Sequence, residues 1–169
     1  MTLTKRPVFW IVAAVVVVAL GAGLYAFQPW RAFTTSRVDE AAPAATGRQV
    51  PGPAKPYATG SFISHEHETS GTVQVQKLAD GTATLRLENL RTSDGPALHV
   101  WLTDQPVPAT GFGTNLDDGE HVDLGDLKGN EGNQNYTIPA GTDLDKYTAV
   151  TIWCERFSVS FGAAELKRA

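Results

Sequence analysis

The chain has 169 residues, a formal net charge of −4 and a single cysteine. That length allows one domain with accessory segments, and one cysteine excludes an intramolecular disulfide framework. Residues 58–169 carry eight basic and sixteen acidic side chains, which excludes nucleic acid or an anionic lipid surface as the main partner of that part.

Val8 to Phe27 is a run of twenty residues without a charge. As a helix it spans the roughly 30 Å hydrocarbon layer of a bilayer. Trp10, Tyr25 and Trp30 lie near its ends, where amphipathic rings sit at the interface. Lys5 and Arg6 precede it, so residues 1–7 are expected on the cytoplasmic side, with a single-pass helix over 8–27 and the remainder outside. A cleavable signal peptide is the competing reading, with Gly21-Ala22-Gly23 as the small-residue stretch. Against it, the apolar run is long and continues to Phe27. This anchor and the Ala/Val-rich composition suit a bacterial protein.

Residues 28–56 contain Pro43, Pro51, Pro53 and Pro56 with Ala41, Ala42, Ala44 and Ala45. Such composition predicts a flexible tether. From about Tyr57 to the end of the chain the pattern is β. Short strands are expected over Gly60 to His65, Thr72 to Gln76 and Ala83 to Glu88, with Ala79-Asp80-Gly81 as hairpin chemistry. Leu98, Val100 and Leu102 share one face of the next strand, and His99 and Trp101 the other. A long loop from Thr103 to Gly119 follows, then Val122 to Leu124, Asn135 to Ile138, a helical turn near Gly141 to Lys146, and strands over Tyr147 to Cys154 and Ser158 to Leu166. Seven to nine short strands without strand–helix alternation predict an all-β fold, an antiparallel sandwich or barrel.

Within Val150 to Cys154 the apolar parity is regular, but Phe157, Val159 and Phe161 fall on the opposite parity. A flat strand cannot hold both sets in one core, which predicts a bulge or sharp bend at Glu155-Arg156. A thiol beside such a break is more reachable than one in mid-strand. The competing reading is a buried cysteine acting as a small hydrophobe.

Catalytic signatures are sparse. One cysteine excludes the c-type haem attachment motif. Blue copper requires a His and a weak axial ligand near the Cys, and here all four histidines precede Cys154 and the sole Met is Met1. His65 and His67, spaced i and i+2, would share a strand face and offer two imidazoles to a metal, although two ligands make no closed site. His99 beside Trp101 reads as a hydrogen-bonded core histidine.

The segment Gly60 to Leu166 resembles the DM-thirteen domain, an electron-transfer domain often discussed beside the DOMON domain. The resemblance rests on Gly60-Ser61-Phe62, His67 to Gly71, Asp94-Gly95-Pro96 with Leu98 and Trp101-Leu102, and Leu124 to Gly129. It continues through Gly132, Gln134-Asn135-Tyr136, Trp153-Cys154-Glu155-Arg156-Phe157 and Phe161 to Leu166. It implies a β-sandwich and a redox role centred on Cys154, as a naked thiol or as a ligand to a prosthetic group such as haem. On that reading Trp153 and Phe157 shape the pocket, His67 is a second ligand or hydrogen-bond partner, and a redox partner protein completes the exchange. The alternatives are a non-catalytic cell-surface binding module with a structural cysteine, and a metal-binding module using His65 and His67.

Overall fold

The computed structural model describes residues 5–43, 56–77 and 82–169. Its first element is a helix, α1, over Lys5–Phe27. At 1.5 Å per residue its 23 residues extend about 34 Å. The apolar side chains of α1 point outward all round, with Val17, Leu20 and Tyr25 exposed. An apolar helix without a polar face or a protein covering is suited to lipid. The stretch Pro7–Arg31 is long and apolar enough to cross a membrane.

The rest is β, in two sheets. Among the described residues the strands are β1 (Arg37–Asp39), β2 (Ala58–Ser61), β3 (Ile63–Ser64), β4 (Ser70–Lys77), β5 (Ala83–Arg91) and β6 (Leu98–Thr103). They continue with β7 (His121–Asp126), β8 (Glu131–Ile138), β9 (Ala149–Cys154), β10 (Val159–Glu165) and β11 (Lys167–Arg168). One sheet runs β1-β8-β5-β4-β2-β11 and the other β3-β10-β9-β6-β7. All pairings are antiparallel except β1 with β8. The inward positions supply the core between the sheets. Val73, Val75, Leu85 and Leu87 come from one sheet, and Val100, Leu102, Val150, Ile152 and Cys154 from the other. Each larger aliphatic side chain among them contributes about 1.5–3 kcal/mol of burial.

The antiparallel sandwich expected from the alternation is present, with more strands than the seven to nine expected. The additional ones are very short. β3 and β11 have two residues each and β1 three, too few to show a period. β1 is the most informative, because it lies inside the stretch whose composition reads as tether. Arg37, Val38 and Asp39 pair with Glu131, Gly132 and Asn133. A Cβ at Gly132, whose φ is +104°, would collide with the Val38 carbonyl. Any side chain at this position would therefore block the approach. Lys128 adds an ion pair to Glu40 at 2.8 Å, and Arg86 donates to the Glu40 carbonyl at 3.1 Å. The Ala79-Asp80-Gly81 turn and residues 44–55 lie outside the described residues.

The parity break after Cys154 is a hairpin. β9 and β10 are separate antiparallel strands joined by the turn Glu155 to Ser158, with Val159 opposite Cys154. The sharp bend falls where the alternation places it. The bulge lies further on, at Phe161, where the register shifts between Ser160 and Gly162. That shift turns both Phe161 and Ala164 toward the main core.

Candidate functional site around Cys154

Cys154 is the last residue of β9, a strand buried at all six positions. Its neighbours across the sheet are Leu98 and Val159. The thiol is fully buried and donates to the Pro96 carbonyl at 3.3 Å. Desolvation pushes its pKa up from the ordinary thiol value, and the backbone N–H groups of Phe157 and Arg156 oppose that only in part. At neutral pH the sulfur is a protonated thiol, the less nucleophilic form. Yet it is one residue from solvent: Glu155, Arg156, Phe157 and Ser158 are all exposed. The turn is held by the Glu155 N–H to the Ala97 carbonyl (3.1 Å) and the Phe157 N–H to the Cys154 carbonyl (3.3 Å).

Above the Pro96 segment lies a cleft of about 520 Å³, walled chiefly by Phe27, Phe112, Phe157, Phe161, Pro96 and His67. Phe27, the last residue of α1, stacks on Phe157 with ring centroids 6.0 Å apart. His67 packs on Phe161 at 3.9 Å. Burial lowers the His67 pKa, the Glu66 carboxylate opposing, so its imidazole is neutral at neutral pH. Arg156 donates to the Ala26 carbonyl, and Arg31 pairs with Asp94 at 3.1 Å, so the end of α1 is fastened to the same rim.

Backbone strain gathers here as well. Gln28, Ala97 and Ser158 have φ of 42°, 56° and 50°. Gln28 lines the cleft, Ala97 follows Pro96, and Ser158 lies between Phe157 and Val159, which also line it. For non-glycine residues this left-handed conformation costs about 1–2 kcal/mol each and collects at sites that do something.

The structure thus brings His67 and Phe157 together in one cleft with Cys154 behind its wall. Trp153 is elsewhere. It faces the opposite side of the sheet, stacked on Trp101 at 5.1 Å, and Trp101 in turn stacks on His121 at 4.0 Å. His67 lines the cleft and His65 does not. β3 ends at Ser64, and the His65 ring is engaged by the Ser160 hydroxyl (2.8 Å) and the Pro108 carbonyl (3.0 Å). A larger depression of about 620 Å³, lined by Thr59, Gly60, Gln74 and Lys167 among others, contains none of these residues.

His99 is the residue whose surroundings the sequence hid. It is half-buried, with Asp123 at 3.0 Å, Asp126 at 3.3 Å and Glu155 at 3.5 Å around its ring. Among the described residues, His99, Asp123 and Glu155 form the one group of three close enough to share a cation. The three carboxylates come from β7 and from the turn after β9, far from His99 in sequence. Their approach follows from the antiparallel pairing of β6 with both neighbours.

The fold is a two-sheet β-sandwich with one buried thiol, preceded by an apolar helix long enough to cross a membrane. Its family is the electron transfer DM13 family, whose model matches residues 61–166, and the chain belongs to it. No match was found among curated proteins or among solved structures.

A haem ligated by Cys154 does not fit this arrangement. The cleft offers His67, but Cys154 is absent from its lining, and the thiol hydrogen is directed at Pro96.

Proposed function

We propose that the protein is a membrane-anchored electron-transfer domain held outside the membrane, with Cys154 as its redox-active group and the Glu155 to Ser158 turn as the gate to the sulfur. α1 is then an uncleaved anchor with residues 1–7 cytoplasmic, and the stretch between the domain and α1 is partly tether and partly the edge strand β1. The observation that carries the reading is the single thiol held one residue below an exposed turn that is bordered by left-handed residues. The chemistry open to one thiol is exchange with a disulfide of a redox partner protein. The Cys154 proton goes to solvent, its sulfur bonds to one partner sulfur, the partner's S–S bond breaks, and one partner thiolate departs.

Full burial of the sulfur favours a second reading, a non-catalytic surface module in which Cys154 is core. A chromogenic aromatic disulfide added to the detergent-solubilised full chain separates the two. The redox reading expects release of one aromatic thiolate per chain under native conditions, at a rate limited by opening, and no release from Cys154→Ser. Reaction only after denaturation overturns it and leaves the binding module. Fractionation checks the anchor: the chain should stay with membranes after an alkaline wash.

A further inference from the structure

We propose that the Phe27–Phe157–His67 cleft is a binding site for a neutral quinone dissolved in the membrane. This rests on the membrane-anchored reading above and not on the thiol chemistry.

The cleft has the size of a small-molecule site, about 520 Å³, within the roughly 300–1,000 Å³ usual for such pockets. Its walls are phenylalanine rings, which favour a flat conjugated ring over a flexible chain. Its polar side chains are few: Gln28, Glu66, His67 and Asp94. The His67 ring packs on Phe161, and neither ring nitrogen has a hydrogen-bond partner in the described structure. A neutral imidazole carries one N–H donor, and a quinone carbonyl is a matching acceptor. The lining offers no cation to an anionic headgroup or a fatty acid: no Lys or Arg lines the cleft, Glu66 does, and Arg31 is already paired with Asp94.

Position supplies the route. Phe27 is both the last residue of the apolar helix and a wall of the cleft. Phe27, Trp30, Phe33, Phe112 and Phe157 are all exposed on the described chain. With α1 in a bilayer, the mouth of the cleft lies at the interface, so an isoprenoid tail can remain among the lipid chains while the head ring leaves them. The helix end is fixed to the rim by the Arg31–Asp94 pair, which keeps the mouth at that depth.

The test uses the full chain in detergent micelles and a benzoquinone bearing a decyl tail, with binding measured by titration calorimetry. Saturable binding is expected, weakened at least about ten-fold by His67→Leu or Phe157→Ala and partly recovered in His67→Gln, which restores a donor. Thermal unfolding confirms that each variant is folded. Cys154→Ser should leave the affinity within about two-fold while removing sulfur reactivity, so a failed thiol reading and a failed cleft reading give different results. The proposal is overturned by no saturable binding to the wild-type chain, by equal binding of decanol or tighter binding of decanoate, or by unchanged affinity in both cleft variants.

Discussion

Trp153 and Cys154 are adjacent on β9 and live in different environments. Cys154 points into the main core between the sheets, beneath the wall of a cleft that reaches the end of α1. Trp153 points to the other face, into a smaller cluster with Trp101, Leu116 and Ala163. An antiparallel sheet commonly keeps one face wet. Here the Thr103 to Gly119 loop covers the second face, with Leu116 fully buried and Thr103 donating to the Leu116 carbonyl at 2.9 Å. The difference teaches a division of labour: Trp153 holds the loop to the sheet, and Cys154 closes the main core one residue before an exposed turn.

Trp153→Ala should break that division most severely. Removing a side chain 2 % exposed leaves a cavity and costs about 3–5 kcal/mol. Denaturant unfolding should show a midpoint far below wild type, and protease should cut first in the Thr103 to Gly119 loop. A loss under 1 kcal/mol, on the order of a surface change, would mean the loop needs no such anchor.

Cys154→Ala should cost less, about 1 kcal/mol, because one sulfur is removed and the Pro96 carbonyl loses its partner. The comparison is sharpened by reactivity. Phe157→Ala removes an exposed ring that stacks on Phe27 and should move stability by less than about 0.5 kcal/mol. If the turn is the gate, the same change speeds native thiol labelling several-fold, and Trp153→Phe does not. Equal labelling rates in all three chains would remove the turn from its role.

How much of this could be read from the sequence follows from what local pattern carries. The sandwich was legible in the alternation of Thr72 to Gln76 and Leu98 to Leu102, and the family in the order of the short motifs ending at Trp153-Cys154. Some of those motifs prove to be structural. Gln134 is fully buried and clamps Gly129, donating to its carbonyl at 2.6 Å and receiving its N–H at 3.3 Å. The Tyr136 hydroxyl joins at 2.8 Å, and burial pushes its pKa up to about 12. What the sequence hid is long-range. The second buried face depends on a loop without a period, β1 on a close approach at Gly132, and the His99 carboxylates on strand neighbours. The cleft draws its walls from residues as far apart as Phe27 and Phe161.

The smallest effect distinguishes the two titratable groups beside the cleft wall by pH. The thiol pKa is raised in the folded chain above its ordinary 9.0. As pH rises past that value the unfolded chain loses its proton first, so stability declines until the folded thiol also ionises. Burial lowers the His67 pKa below the ordinary 6.5. As pH falls through that value the unfolded chain takes up a proton first, so stability falls again on the acid side until folded His67 is protonated. Urea midpoints measured across both windows should therefore decline at each end. Between pH 9.0 and 10.0, before Tyr136 with its own raised pKa begins to add to the decline, Cys154→Ala should flatten the alkaline side alone. Between pH 6.5 and 4.5, before Glu40 begins to contribute, His67→Gln should flatten the acid side alone. Loss of both declines in either variant would show that the two groups titrate as one unit, with the Pro96 segment coupling them rather than separating core from cleft.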